Sequence, residues 1–241
     1  MKVIAAENQN DMSRKAAAII IDRVRTEPSM TLGMATGSTP EGTYRELIED
    51  HRRSGTSYSR VTTVNLDEYV GLSSDHPNSF RHFMDTQLFQ HLNLPRGHIH
   101  IPDGTALDLE SECRRYDIII DKLGGLDVQL LGIGENGHIG FNEPGTSFAS
   151  QTHIVTLTES TRKANARFFE SIEDVPRYAI TMGIQSIFQS KQIVLLASGK
   201  AKAEAIERLV HGGVSQVFPA SILNLHENVT LIADKEALAL V

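Results

Sequence analysis

Short, nearly continuous apolar runs alternate with longer amphipathic patterns from one end of the chain to the other, and this alternation limits the fold more than any other feature. The runs are "KVIAA", "MTLGMA", "RVTTVNL", "VQLLGIG", "YAITMG", "QIVLLAS" and "VTLIAD". Between them lie "MSRKAAAIIIDRVR", "TYRELIEDHRR", "FRHFMDTQLFQHL", "LESECRRYDIIIDKL", "TRKANARFFESI" and "KAEAIERLVHG", whose apolar residues recur at helical spacing. Strands without polar alternation must be covered on both faces, so the pattern predicts an α/β fold. The expected form is a doubly wound, mostly parallel sheet with helices on both faces, a Rossmann-like three-layer sandwich. No internal repeat, low-complexity tract or Pro/Gly-rich linker interrupts the pattern, so residues 1–241 are read as a single domain.

Charge and cysteine content remove several classes of function. The net charge of −7 argues against nucleic acid as the main partner, because such proteins carry a basic footprint. An anionic ligand would need a local pocket of donors, since the overall field does not attract it. Cys113 is the only cysteine, which excludes an intrachain disulfide and fits a reducing, cytoplasmic setting. The apolar stretch in "MKVIAAENQN" is too short for a signal segment, and no run approaches a membrane span, so no membrane partner is expected. The sequon at Asn228 is read as incidental, and His51, His91 and His211, in polar or helix-end contexts, as solvated.

In doubly wound folds ligands bind outside the carboxyl ends of the strands. Four polar stretches follow a predicted strand: "ATGSTPEGT", "NLDEYVGL", "GENGHIGFNEP" and "ASGKAK". In the first, Thr36, Gly37, Ser38 and Thr39 lead into Pro40, just inside a predicted helix, where a proline sacrifices no hydrogen bond. First-turn amides, a flexible glycine and two hydroxyls form an anion cradle, or else a helix start capped by Ser or Thr. No G-K-[ST] follows, which excludes a Walker A loop. In "ASGKAK", Lys200 and Lys202 sit at the next helix start, where cations oppose the helix dipole and a bound anion would account for them.

Asp67 and Glu68 stand directly after "RVTTVNL". A carboxylate there can be a general base, a metal ligand, a sugar-hydroxyl acceptor or a turn cap. Metal binding is the least attractive, because the nearest downstream histidine, His76, lies in a polar loop without ligand spacing.

Gly132, Gly134 and Gly137 of "GIGENGHIGFNEP" satisfy the G-x-G-x-x-G spacing of a dinucleotide site. That site needs a helix opening at the third glycine. Here Gly140, Asn142, Pro144 and Gly145 would break the helix within two turns, so a nicotinamide or flavin cofactor is not expected. What remains is a tight loop gathering Asn136, His138, Asn142 and Glu143, with Asn136 and Glu143 able to orient the imidazole.

Together "TGSTP", "NLDEYVGL", "GIGENGHIGFNEPG", "TRKANARFF" and "SGKAKAEAI" resemble the glucosamine-6-phosphate deaminases over nearly the whole chain. The resemblance implies conversion of D-glucosamine 6-phosphate and water to D-fructose 6-phosphate and ammonia, with no cofactor and no metal. It implies that Asp67 moves a proton from C2 to C1, that His138 handles the ring-opening proton, and that Glu143 and Asn136 are its polar partners. It assigns the 6-phosphate to Thr36, Gly37, Ser38 and Thr39, assisted by Arg167 and Lys202. Some members carry an acid where Asn136 stands; an amide can orient the histidine but not relay its proton. A "TGSTP" loop is shared with 6-phosphogluconolactonases, the alternative hydrolase reading, which would not require Asp67 or release ammonia. A sugar-phosphate sensor would need a helix-turn-helix module for which the chain has no segment. Allosteric hexameric members have basic residues where "SFASQTHIVTL" has His153 and Val155, and a longer C-terminus; this departure argues against activation by an N-acetylated sugar phosphate and against the hexamer, and the expected state is a monomer or small homo-oligomer.

Overall fold

The structure is a computed structural model, and it describes residues 1–166 and 169–241. The first half of the chain contains β1 (Lys2–Ala6), α1 (Gln9–Thr26), β2 (Thr31–Met34), α2 (Glu41–Ser54), β3 (Thr62–Asn65), β4 (Asp67–Tyr69) and α3 (Phe80–Gln87). After these come β5 (Ile99–His100), α4 (Leu109–Lys122), β6 (Val128–Gly132), β7 (His153–Thr156) and α5 (Glu159–Asn165). The chain finishes with β8 (Tyr178–Thr181), α6 (Ile184–Phe188), β9 (Ile193–Ala197), α7 (Ala203–His211) and β10 (Val229–Asp234).

Seven strands form one sheet in the order β1-β10-β9-β6-β2-β3-β5, and every pairing in it is parallel. Neighbouring strand residues point to opposite faces, so Leu130 and Leu131 enter different cores. On one face Leu131, Leu195 and Leu231 meet Tyr116 and Ile120 of α4 and Ile206 and Leu209 of α7. On the other, Leu130, Leu32 and Ile232 meet Met12 and Ile20 of α1, Tyr44 and Leu47 of α2 and Met84 of α3. Each such fully buried aliphatic side chain contributes roughly 1.5–3 kcal/mol. The expected doubly wound sandwich is therefore what forms. Its helices start where short polar side chains accept first-turn amides: Asn8 before α1, Ser79 before α3, Asp108 before α4 and Thr158 before α5.

The run "YAITMG" departs from the expectation. Its β8 leaves the main sheet and joins a three-stranded antiparallel sheet, β4-β8-β7. β4 is "DEY", poor in strand formers, and holds as a strand because the register Asp67↔Thr181, Tyr69↔Ala179 supplies partners from far along the chain. The helical pattern at 80–92 is also cut short, α3 ending at Gln87 before a separate 3-10 turn at Phe89–His91. His51 and His91 are half-buried rather than solvated, each with a ring nitrogen on a carbonyl, of Thr56 and Thr86 respectively.

Candidate active site

The carboxyl ends of β2, β3, β6 and β9 open onto one cavity of about 590 Å³, which the loops after those strands line. All four polar stretches reach it, because in a parallel sheet every one of these loops emerges on the same side.

Thr36, Gly37, Thr39 and Pro40 contribute the wall after β2. Gly37 has φ +90, a left-handed conformation that disfavours a side chain. Pro40 occupies the cap position itself, one residue earlier than expected, and no side chain caps α2. Thus neither Ser38 nor Thr39 holds the cap position, and the first turn of α2 opens on the cavity beside Thr39 and Pro40. Ser38, which the sequence places in the anion cradle, is exposed and is not part of the lining. Lys202 lines the cavity whereas Lys200 is exposed, so only one of the two lysines is a candidate anion partner. Arg167 lies outside the described residues. The turn that carries Lys202 is fastened by Asp234, the buried last residue of β10, whose carboxylate accepts from the Ser198 hydroxyl and from the Gly199 and Ala237 amides. Nothing local in the sequence marks Asp234, since the strands are joined only by the sheet.

Asp67 lines the same cavity and is only 7% exposed. Burial, and secondarily the charge of Glu68, pushes its carboxyl up to about 8. The histidine loop passes close by: a Cβ built on Gly140 would lie 3.7 Å from Asp67 Oδ2 and 3.1 Å from Thr181 Oγ1. Asp67 and the "GHIGFNEP" loop therefore share one site.

After β6 the chain turns instead of opening a helix; the Gly134 amide bonds the His138 carbonyl at 2.9 Å, and Ile139 bridges to Asn142. The helix that a dinucleotide site needs at its third glycine does not form, in keeping with the helix-breaking residues that follow Gly137. Glu143 Oε2, an acceptor, takes a 2.7 Å hydrogen bond from Asn136 Nδ2. That turns Asn136 Oδ1 towards His138, where it accepts from the backbone N–H at 3.2 Å and meets Nδ1 at 2.7 Å. Because the amide oxygen can only accept, the Nδ1 proton stays on the ring and Nε2 keeps a free lone pair. Glu143 itself is 3.7 Å from Nδ1, so it acts on the imidazole through Asn136. Burial chiefly, with Lys202 adding to it, lowers the histidine pKa against the opposing pull of Glu143 and Glu135. His138 also lies flat against Gly134, where a Cβ would come within 2.2–2.6 Å of its ring atoms.

Two expected members of this cluster sit differently. Asn142 is fully buried and its Nδ2 donates to the Ile139 and Met182 carbonyls, so it shapes the loop and does not line the cavity. Glu143 also stands behind the lining, its Oε1 accepting from the hydroxyls of Thr161 at 2.6 Å and Thr158 at 3.3 Å. Those two threonines, which tie α5 to the loop, escaped the sequence reading. So did the aromatic wall: Tyr69 packs on Phe80 with centroids 4.5 Å apart and on Phe169 at 5.9 Å, and Phe141 stacks on Phe80. A local acid-amide-histidine signal exists in one loop, but the threonines and aromatics come from separate elements.

Among the described residues, no group of three or more His, Cys, Asp or Glu is gathered where it could hold a metal ion, and no helix is long and apolar enough to cross a membrane.

Comparison with known proteins shows which family the chain resembles. A family model described as glucosamine-6-phosphate isomerases/6-phosphogluconolactonase matches residues 5–232. A glucosamine-6-phosphate deaminase of Geobacillus sp. (strain WCH70) is 59% identical over 241 residues, covering 100% of this chain and 96% of that protein. Glucosamine-6-phosphate deaminase 1 of Bacillus subtilis (strain 168) is 55% identical, covering 100% of this chain and 99% of that one. A solved monomeric glucosamine-6-phosphate deaminase superposes with a TM-score of 0.99 at 55% identity, over 100% of both chains. The 6-phosphogluconolactonase of Trypanosoma cruzi, at 18% identity and a TM-score of 0.81 over 99% of this chain and 96% of that one, shares the fold. The chain therefore belongs to the glucosamine-6-phosphate isomerase/6-phosphogluconolactonase family, and within it stands with the glucosamine-6-phosphate deaminases.

Proposed function

We propose that this chain is an isomerising deaminase, converting D-glucosamine 6-phosphate and water to D-fructose 6-phosphate and ammonia as a monomer in the cytoplasm, with residues 1–241 acting as one catalytic domain. The observation that supports it best is a single cavity holding a buried carboxyl, an oriented neutral imidazole and, at another edge, an uncapped helix start beside a lysine.

The chemistry follows from these groups. The 6-phosphate takes the first-turn amides of α2, with Thr36, Gly37, Ser38, Thr39, Arg167 and Lys202 as its partners. His138 Nε2, free to accept, moves the hydroxyl proton that opens the ring. In the open form the C1 aldehyde acidifies C2–H, and Asp67 removes that proton and returns it to C1. The enolamine becomes a 2-imine, which water hydrolyses to the ketone and ammonia. The substrate nitrogen supplies the electron pair, so the sequence of steps runs without a carbonyl cofactor.

Purified chain given glucosamine 6-phosphate and no added cofactor should release ammonia and fructose 6-phosphate in equal amounts in a coupled assay. Hydrolysis of 6-phosphogluconolactone without ammonia release from the amino sugar would transfer the reading to the lactonases.

The free enzyme should lose kcat/KM on the acid side. Asp67 must be ionised to act as a base, and its carboxyl is pushed up to about 8, so activity rises with pH through that region. A profile flat from pH 6 to 9 would contradict the assignment.

Asp234→Ala should raise KM for the sugar phosphate about tenfold, the equivalent of losing one charge-assisted hydrogen bond's worth of positioning. Of the groups Asp234 holds, Ser198 and Gly199 belong to the Lys202 turn and the Ala237 amide lies after β10, so kcat should change much less; a fall in kcat at constant KM would contradict this.

A further inference from the structure

β4 presents alternate side chains to opposite sides: Asp67 and Tyr69 line the cavity, and Glu68 is directed away from it, almost wholly buried. Its carboxylate is saturated by main-chain donors. Oε1 accepts from the Tyr69 amide at 2.8 Å and the Phe80 amide at 2.9 Å, and Oε2 accepts from the Arg81 amide at 2.8 Å. Ser79 takes the third amide of the same helical turn, that of His82, at 3.1 Å. The start of α3 is thus completed by a side chain from a different strand. The segment so held carries Ser79, Phe80 and Phe83, one wall of the cavity. A structural helix cap needs only a surface Asp or Ser. Here the cap is a buried acid one residue from the candidate base.

Resting on the deaminase reading above, we propose that Glu68 is a positioning residue: its buried carboxylate locks the α3 wall to β4 and keeps a fixed negative charge beside Asp67. The anion is held by the three amides and by the positive end of the helix. Burial raises the Glu68 pKa, while those amides and the Arg81 guanidinium act against the rise. The remaining ionisable neighbours do not supply a competing charge beside Asp67. Tyr69 on β4 and Tyr116 on α4 are raised by burial and stay neutral, and β8 offers the uncharged Thr181. Glu135, His138 and Lys202 line the cavity as parts of other loops. The consequence is that Glu68 adds to burial, the larger cause, in keeping the proton on Asp67 until the pH rises.

The test is the pH profile of kcat/KM for ammonia release by the wild type, Glu68→Gln and Glu68→Asp. Glutamine removes the charge and turns an N–H against the Arg81 amide. Its acid half-point should move down by roughly one pH unit, the scale of a like charge a few ångströms away in a protein interior. Aspartate keeps a carboxyl on β4 but is too short for the α3 amides, so it should raise KM and move the half-point less than glutamine does. A half-point unmoved in Glu68→Gln, or moved equally in both variants, overturns the proposal. Should Glu68→Gln fail to fold, carboxyl-carbon NMR of the wild-type chain decides: Glu68 must ionise at lower pH than Asp67, and the reverse order overturns it. A wild type that releases no ammonia at all would instead remove the deaminase reading.

Discussion

Asp67→Asn is expected to lower kcat/KM for ammonia release by about 10²–10⁴-fold, the range for removing a positioned general base. The substitution is nearly isosteric and falls on a residue only 7% exposed, so it should leave the sheet pairing of β4 intact. Its effect on stability has the opposite sign to its effect on rate. A carboxyl held at about 8 in the native protein against an ordinary value of 3.8 binds its proton more tightly folded than unfolded. That contribution to stability is complete below pH 3.8 and is lost as the pH rises through 8. The asparagine side chain cannot ionise, so the melting temperature of Asp67→Asn should fall less between pH 5 and pH 9 than that of the wild type. Retention of most of the rate would remove Asp67 as the base; an equal pH dependence of melting would mean that the carboxyl is not desolvated as described.

The second large effect is expected at a residue with no functional group. Gly134→Ala puts a methyl within 2.2–2.6 Å of the His138 ring, which must then leave its bond to Asn136. Displacing a catalytic group by about an ångström costs about 10²-fold, and His138→Ala should cost a comparable amount or more. If Gly134 acts only through the imidazole, the double variant Gly134→Ala/His138→Ala should be little worse than His138→Ala alone. Losses that multiply would show that the methyl disturbs the cavity in some other way.

The contrast between these residues and their supports explains what was legible beforehand. Asn136, His138 and Glu143 fall within one short loop, and loop geometry alone brings the first two within hydrogen-bond reach. Chain order could not rank them: Glu143 works through Asn136, and Asn142, equally polar and equally close, turns into the core. "YAITMG" reads as a strand of the main sheet on composition, yet β8 lies between β4 and β7 in the small sheet, where Thr181 faces Asp67 on one side and His153 on the other. Thr158, Thr161 and Asp234 are ordinary residues of a helix start and a strand end, and gain their roles from what the fold sets against them.

Residue order by itself determined the layered α/β architecture and the side of the sheet on which the polar loops gather, since periodicity and the positions of Gly and Pro are local properties. Tertiary structure alone decided which acid is buried, which lysine reaches the cavity and which carboxylate fastens which turn. Desolvation and hydrogen bonding sum over elements remote in sequence, and no window of neighbouring residues contains them.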